Sequence, residues 1–135
     1  MTVGDWDPNA AAQAQSFEVD ESILDRFADL SRQQQLDQLA DQLDRELIVQ
    51  QAPLMTLGKA HWFEIGETLD TDQIIELVRF FTVAEAQLPG WEAGAESPVV
   101  WLVKLLRQRK QPPSKELLLW IKANSENRFL PNGAL

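Results

Sequence analysis

The residues best suited to chemistry are His61, Glu64 and Glu67, spaced by three in the run His61-Trp62-Phe63-Glu64-Ile65-Gly66-Glu67. On a helix the first two share a face, because side chains three or four apart are neighbours. A histidine oriented by a carboxylate can serve as a general base, or the pair can supply part of a metal's ligand set. One functional expectation follows: a ligand- or metal-dependent enzyme using His61 and Glu64. The plainer expectation is a surface or core-edge histidine beside Trp62 with its hydrogen bond satisfied. His61 is the sole histidine and cysteine is absent. Two-histidine metal motifs within one chain, thiolate nucleophiles, iron–sulfur clusters and disulfides are therefore excluded. The six glycines are scattered, with no G-x-S-x-G and no phosphate-cradling loop. Neither a cofactor nor a metal is expected.

The second group able to act on a ligand is basic. Lys104, Arg107, Arg109 and Lys110, followed by Lys115, form the only cationic cluster, beside Trp101. Cations in a last helical turn complement the negative end of the helix dipole, which is a sufficient structural reason for them. The functional reason would be an anionic partner, with arginine offering planar paired hydrogen bonds to carboxylate or phosphate. The whole chain has a formal net charge of −9, which opposes nucleic acid. The charge is unevenly spread: residues 1–103 carry 19 acidic against 5 basic side chains, and residues 104–135 carry 2 against 7. Five tryptophans without a single tyrosine add a further question. Trp62, Trp101 and Trp120 fall on helical patterns and are expected in the core or at its rim. Trp91 lies in a glycine-flanked loop, where it either plugs a gap between helices or is presented to a partner as an anchor.

These side chains are held by a 135-residue chain, 44% hydrophobic and 24% charged, the composition of one globular domain able to fold without staples. No stretch approaches the roughly twenty apolar residues of a membrane span, and the N-terminus has no signal-peptide pattern, so a cytoplasmic location is expected. Residues 1–17 hold few large apolar side chains and read as a flexible N-terminal arm, with residues 18–135 as a single all-helical domain.

About six short helices follow from the periodicity. Asp20 caps the first, whose apolar face is Ile23, Leu24, Phe27 and Leu30. Ser31 and Gln34 have the capping-box spacing for a second, in which Leu36, Leu39, Leu43 and Leu47 form a stripe with Asp37, Asp41 and Asp44 outside. The stripe lasts under two heptads, shorter than the three or four of a coiled coil, and so predicts a core helix. A third helix spans about Pro53 to Glu67, with Gly58 as a close approach or a weak point. Asp70 and Gln73 cap a fourth over Thr71 to Leu88. Ser97-Pro98 starts a fifth, apolar nearly all round, with Val99, Leu102, Val103 and Leu106 expected to be fully buried at the centre of the core. Ser114 caps a sixth through about Asn124, and the tail keeps Phe129, Leu130 and Leu135, part of which should dock.

The fold expected is all-α, a compact bundle of about six short helices. HEAT-like helix pairs are the alternative, from the echo between Leu88-Pro89-Gly90 and Leu130-Pro131-Asn132-Gly133, which occurs once where a solenoid needs three or more repeats. The function expected is a non-enzymatic protein–protein interaction or adaptor module. Its contact surface would join Trp91 to Lys104, Arg107, Arg109 and Lys110 and meet an unidentified protein with an acidic surface. An enzyme using His61 and Glu64, and a nucleic-acid-associated factor, are the competing readings.

Overall fold

Helix starts are fixed by short polar side chains that accept otherwise orphaned backbone N–H groups. Residues 17–133 are described by a computed structural model; the expected arm, apart from Phe17, and Leu135 lie outside them. Asp20 accepts from the Ser22 amide and opens α1 (Glu21–Arg32). The Asp70–Gln73 capping box opens α5 (Thr71–Gln87), Ser97 opens α6 (Pro98–Gln108), and Ser114 opens α7 (Lys115–Asn124). Between α1 and α5 lie α2 (Leu39–Gln42), α3 (Arg45–Gln51), a 3-10 turn (Ala52–Thr56) and α4 (Lys59–Gly66). The described residues thus contain seven α-helices and no strand, packed as a small bundle.

Three boundaries differ from the sequence expectation. Ser31 does not cap a second helix; it lies inside α1, buried, and its hydroxyl donates to a Glu76 carboxylate oxygen at 2.8 Å. The helix instead ends at Arg32, and beyond it Gln34 takes a left-handed φ of 58° while the Gln34 and Gln35 amides reach back to the Ser31 and Leu30 carbonyls. The leucine stripe is two helices rather than one, because Leu43 and Asp44 have extended backbone. Leu39 and Leu43 still reach the core, so the burial that the stripe demands is achieved without a continuous helix. Tertiary partners replace the missing helical hydrogen bonds: the Gln87 amide accepts from Leu39 N and donates to Leu36 O, and Arg26 donates to Gln42 O. Finally, Gly58, at φ 91°, separates the 3-10 turn from α4, dividing the expected third helix.

One contiguous core joins the helices. Phe27 of α1 stacks on Phe80 of α5 with ring centroids 4.1 Å apart, and Trp62 of α4 meets Phe81 edge-on at 5.4 Å. Val99, Leu102, Val103 and Leu106 are fully buried, as expected for α6. The helix with most neighbours is nevertheless α5, which packs against α1, α2, α6 and α7, so the centre of the core is shared between α5 and α6. Leu130 of the tail is buried.

Helices α4 and α6 approach closely at Gly66. A Cβ there would lie 2.0 Å from Leu105 Cδ2. Alanine normally improves a helix by up to about 1 kcal/mol over glycine, but overpacking of this kind costs about 1–3 kcal/mol and should win. Gly66→Ala is expected to lower the urea midpoint, and in a Leu105→Ala background most of that loss should vanish.

Asp20 makes a local contribution to acid stability, its carboxyl being held below its ordinary 3.8 by hydrogen bonds from the Ser22 hydroxyl and then the Ser22 amide. A depressed folded-state pKa contributes stability that is fully present above the unfolded value and disappears as pH falls through the folded value. Below pH 4, Asp20→Asn, which still caps but does not titrate, should therefore lose stability less steeply than the wild type in urea titrations.

Candidate functional site

The basic segment is the end of α6. Lys110 takes a left-handed φ of 59°, and the Lys110 and Gln111 amides return to the Arg107 and Leu106 carbonyls, stopping the helix. Two of the four cations are committed to the fold. Arg109, half-buried, donates through Nη2 to the Gly66 carbonyl, tying α6 to α4. Lys104 places its ammonium 5.6 Å from the Trp101 ring centroid. Arg107 and Lys110 are exposed, as is Lys115 across the turn. The single ion pair among the described residues is Arg32–Asp29, at 2.7 Å. None of the three exposed cations has a described carboxylate within 4.0 Å.

The acidic segment cannot supply one. Leu36 and Leu39 are fastened to Gln87 at the C-terminal end of α5, which brings Asp37 and Asp41 to that end. The basic segment is fastened at the other end, where the Thr71 hydroxyl meets the Gln111 amide oxygen. These anchors are the first and last of the seventeen residues of α5, about 25 Å apart at 1.5 Å per residue. That is over twice the Debye length at physiological salt.

Trp91 does not belong to this surface. Its ring is 0% exposed, lies against Phe27, Phe80 and Phe81, and donates from Nε1 to the Ile48 carbonyl at 2.9 Å. The loop turns at Gly90, φ 82°, and drives the indole inward, so the plug is the role the fold gives it and the anchor role falls away. Trp101 and Trp120 are half-buried, the latter beneath the Arg79 guanidinium at 5.1 Å.

His61 and Glu64 line an open cleft of about 440 Å³ together with Phe17, Glu18, Glu21 and Ile65. The His61 Nδ1 lies 3.3 Å from the Leu57 carbonyl oxygen, and no hydrogen bond links the ring to Glu64. Among the described residues no group of three or more histidine, aspartate or glutamate side chains is placed to hold a metal ion. The arrangement satisfies an exposed histidine locally and does not orient it toward a carboxylate.

Two features escaped the sequence reading. An open cleft of about 850 Å³ lies beside Glu85 and Asn127. There Glu85 accepts from the Ala93 and Gly94 amides at 3.0 and 3.2 Å and from Asn127 Nδ2 at 3.0 Å, so its carboxylate latches the loop after α5 to the tail after α7. The second is a groove of about 230 Å³ between α7 and the tail, lined by Lys115, Leu118, Leu119, Lys122, Pro131 and Asn132. Its four helical residues stand at i, i+3, i+4 and i+7, a spacing visible in the sequence, while Leu117 and Ile121 turn inward. Leu119 is 59% exposed, one of the two exposed large hydrophobic residues among those described. No helix among the described residues is long and apolar enough to cross a membrane.

No protein-family model matches the chain, and neither curated proteins nor solved structures give a significant match.

The plug role of Trp91 is directly measurable. Trp91→Phe leaves the Ile48 carbonyl without its indole partner, and the expected loss is about 1–3 kcal/mol by urea denaturation. A loss under about 0.5 kcal/mol, usual for a surface substitution, would show that the ring does not hold the core.

Proposed function

We propose that this protein is a non-enzymatic interaction module that binds an acidic protein segment through the basic end of α6, with Arg107 and Lys110 in contact and Lys104 and Lys115 at the margins. The observation that carries this reading is the set of exposed cations without a described carboxylate within ion-pair distance, held about 25 Å from the acidic segment of the same chain. The acidic segment of α2 and its flanks is too far away to neutralise them, which leaves these cations open to a carboxylate from a partner. Complementary charge mainly sets approach and register. A negatively charged molecule as a whole favours a locally acidic protein over a nucleic acid, whose charge density the net −9 repels along its length. The locally satisfied His61 does not support the enzymatic reading. A cytoplasmic location accords with the absence of cysteine.

The test is capture from a lysate of the source cell with the folded chain and with Arg107→Glu/Lys110→Glu, followed by carbodiimide coupling of carboxylates to lysines. The wild type should retain an acidic protein cross-linked at Lys104, Lys110 or Lys115, and raised salt should slow its association. The reversed variant should lose that protein while melting within about 0.5 kcal/mol of the wild type. His61→Ala should change neither result. Equal capture by both charge forms, or cross-links mapping elsewhere, would remove this surface from consideration.

A further inference from the structure

The groove on α7 has the chemistry of an anchor for the same partner. We infer that it receives one aliphatic side chain of an acidic segment, with a carboxylate on either side of that side chain meeting Lys115 and Lys122. The inference rests on the proposed acidic partner and adds where and how that partner is held.

Four observations converge. Leu118 and Leu119 form an apolar floor and Pro131 a wall, while lysines stand at both ends and none of the described residues lining the groove is a carboxylate. Lys115 and Lys122 are seven residues apart on one helix, about 10 Å along the axis. The volume of about 230 Å³ is below the roughly 300–1,000 Å³ of small-molecule sites, which suits a single side chain better than a free ligand. Lys115 also adjoins the turn that carries Lys110, so the groove continues the cationic surface of α6 and gives it an apolar end. Charge without shape selects weakly among acidic proteins. A side chain buried between two ion pairs supplies the register that the charges lack.

The complementary probe follows from the groove's own pattern. A helix bearing Glu-x-x-x-Leu-x-x-Glu sets one leucine between carboxylates seven residues apart, the spacing of Lys115 and Lys122. A fluorescein-labelled peptide of that pattern, and a twin with the leucine replaced by glutamine, would be titrated by anisotropy against the full chain. The leucine peptide should bind about tenfold or more tightly than its twin, since withdrawing an aliphatic side chain from water exceeds a factor of ten. Leu119→Ser, at an exposed position that should not disturb folding, should abolish that preference and leave the twin's affinity unchanged. Lys115→Glu/Lys122→Glu should weaken both peptides.

Equal binding of the two peptides, lost in Arg107→Glu/Lys110→Glu, overturns the groove and leaves the basic end standing. Failure of the wild type to bind either peptide overturns both. Sedimentation showing self-association abolished by Leu119→Ser, or flotation with vesicles containing phosphatidylserine abolished by it, assigns the groove to a second copy or to a membrane and overturns the acidic segment. A tenfold gain for the leucine peptide on removing residues 134–135 assigns it to the chain's own C-terminus, with the same consequence.

Discussion

Two buried indole N–H groups dictate much of how this chain is laid out. Trp62 and Trp91 are both sealed from solvent, and a sealed donor must find an acceptor or cost about 1–3 kcal/mol. Trp91 finds the Ile48 carbonyl and Trp62 the Leu54 carbonyl. An unbroken helix through this region would spend those carbonyls on its own ladder. Here Ile48 stands in the last turn of α3, whose final carbonyls have no helical partner, and Leu54 stands in the short 3-10 turn that follows. The interruptions that look like lost regularity thus provide the acceptors that let the aromatic cluster close around Phe27, Phe80 and Phe81.

This explains which parts of the fold were legible beforehand. Local rules held wherever a cap and its helix are adjacent in sequence: Asp20, the Asp70–Gln73 box, Ser97-Pro98 and Ser114 each start the helix they announce. The all-apolar character of α6 was sufficient to bury its core positions. The misreadings share a cause, which is competition from distant partners. Ser31 and Gln34 have the spacing of a start, yet Glu76, 45 residues on, takes the serine hydroxyl and Ser31 stays inside the last turn of α1. The leucine stripe has the period of one helix, yet Gln87 and Arg26 satisfy its backbone from other elements. Gln34 lies past the end of α1 in a conformation where glycine would be the usual signal, so that end was unmarked, whereas Pro112-Pro113 announces the end of α6.

The candidate surface was legible to a similar degree. The cationic cluster and the segregation of charge are properties of composition, and α5 turns that sequence asymmetry into distance. Trp91 was undecidable from its neighbours, because a glycine-flanked loop can turn a ring outward or inward, and the deciding partner, Ile48, is 43 residues away. The outward stripe of α7 was there to be found. A helix with one apolar face would carry Leu118 inward with Leu117 and Ile121, but only the latter two are buried, and Leu118 joins Leu119 in the outer groove.

The four tryptophans among the described residues fall into two optical classes. Trp62 and Trp91 are shielded from water by the aromatic cluster, whereas Trp101 and Trp120 are half-buried beneath the charges of Lys104 and Arg79. With no tyrosine in the chain, their ultraviolet emission is free of a second fluorophore. Unfolding exposes the shielded pair to water and shifts their emission to the red. A molecule settling on α7 changes the surroundings of Trp120, next to Leu119, and leaves the shielded pair dark to the event. The same boundary that divides rim from core therefore separates a spectroscopic record of contact from a record of folding, within one unlabelled chain.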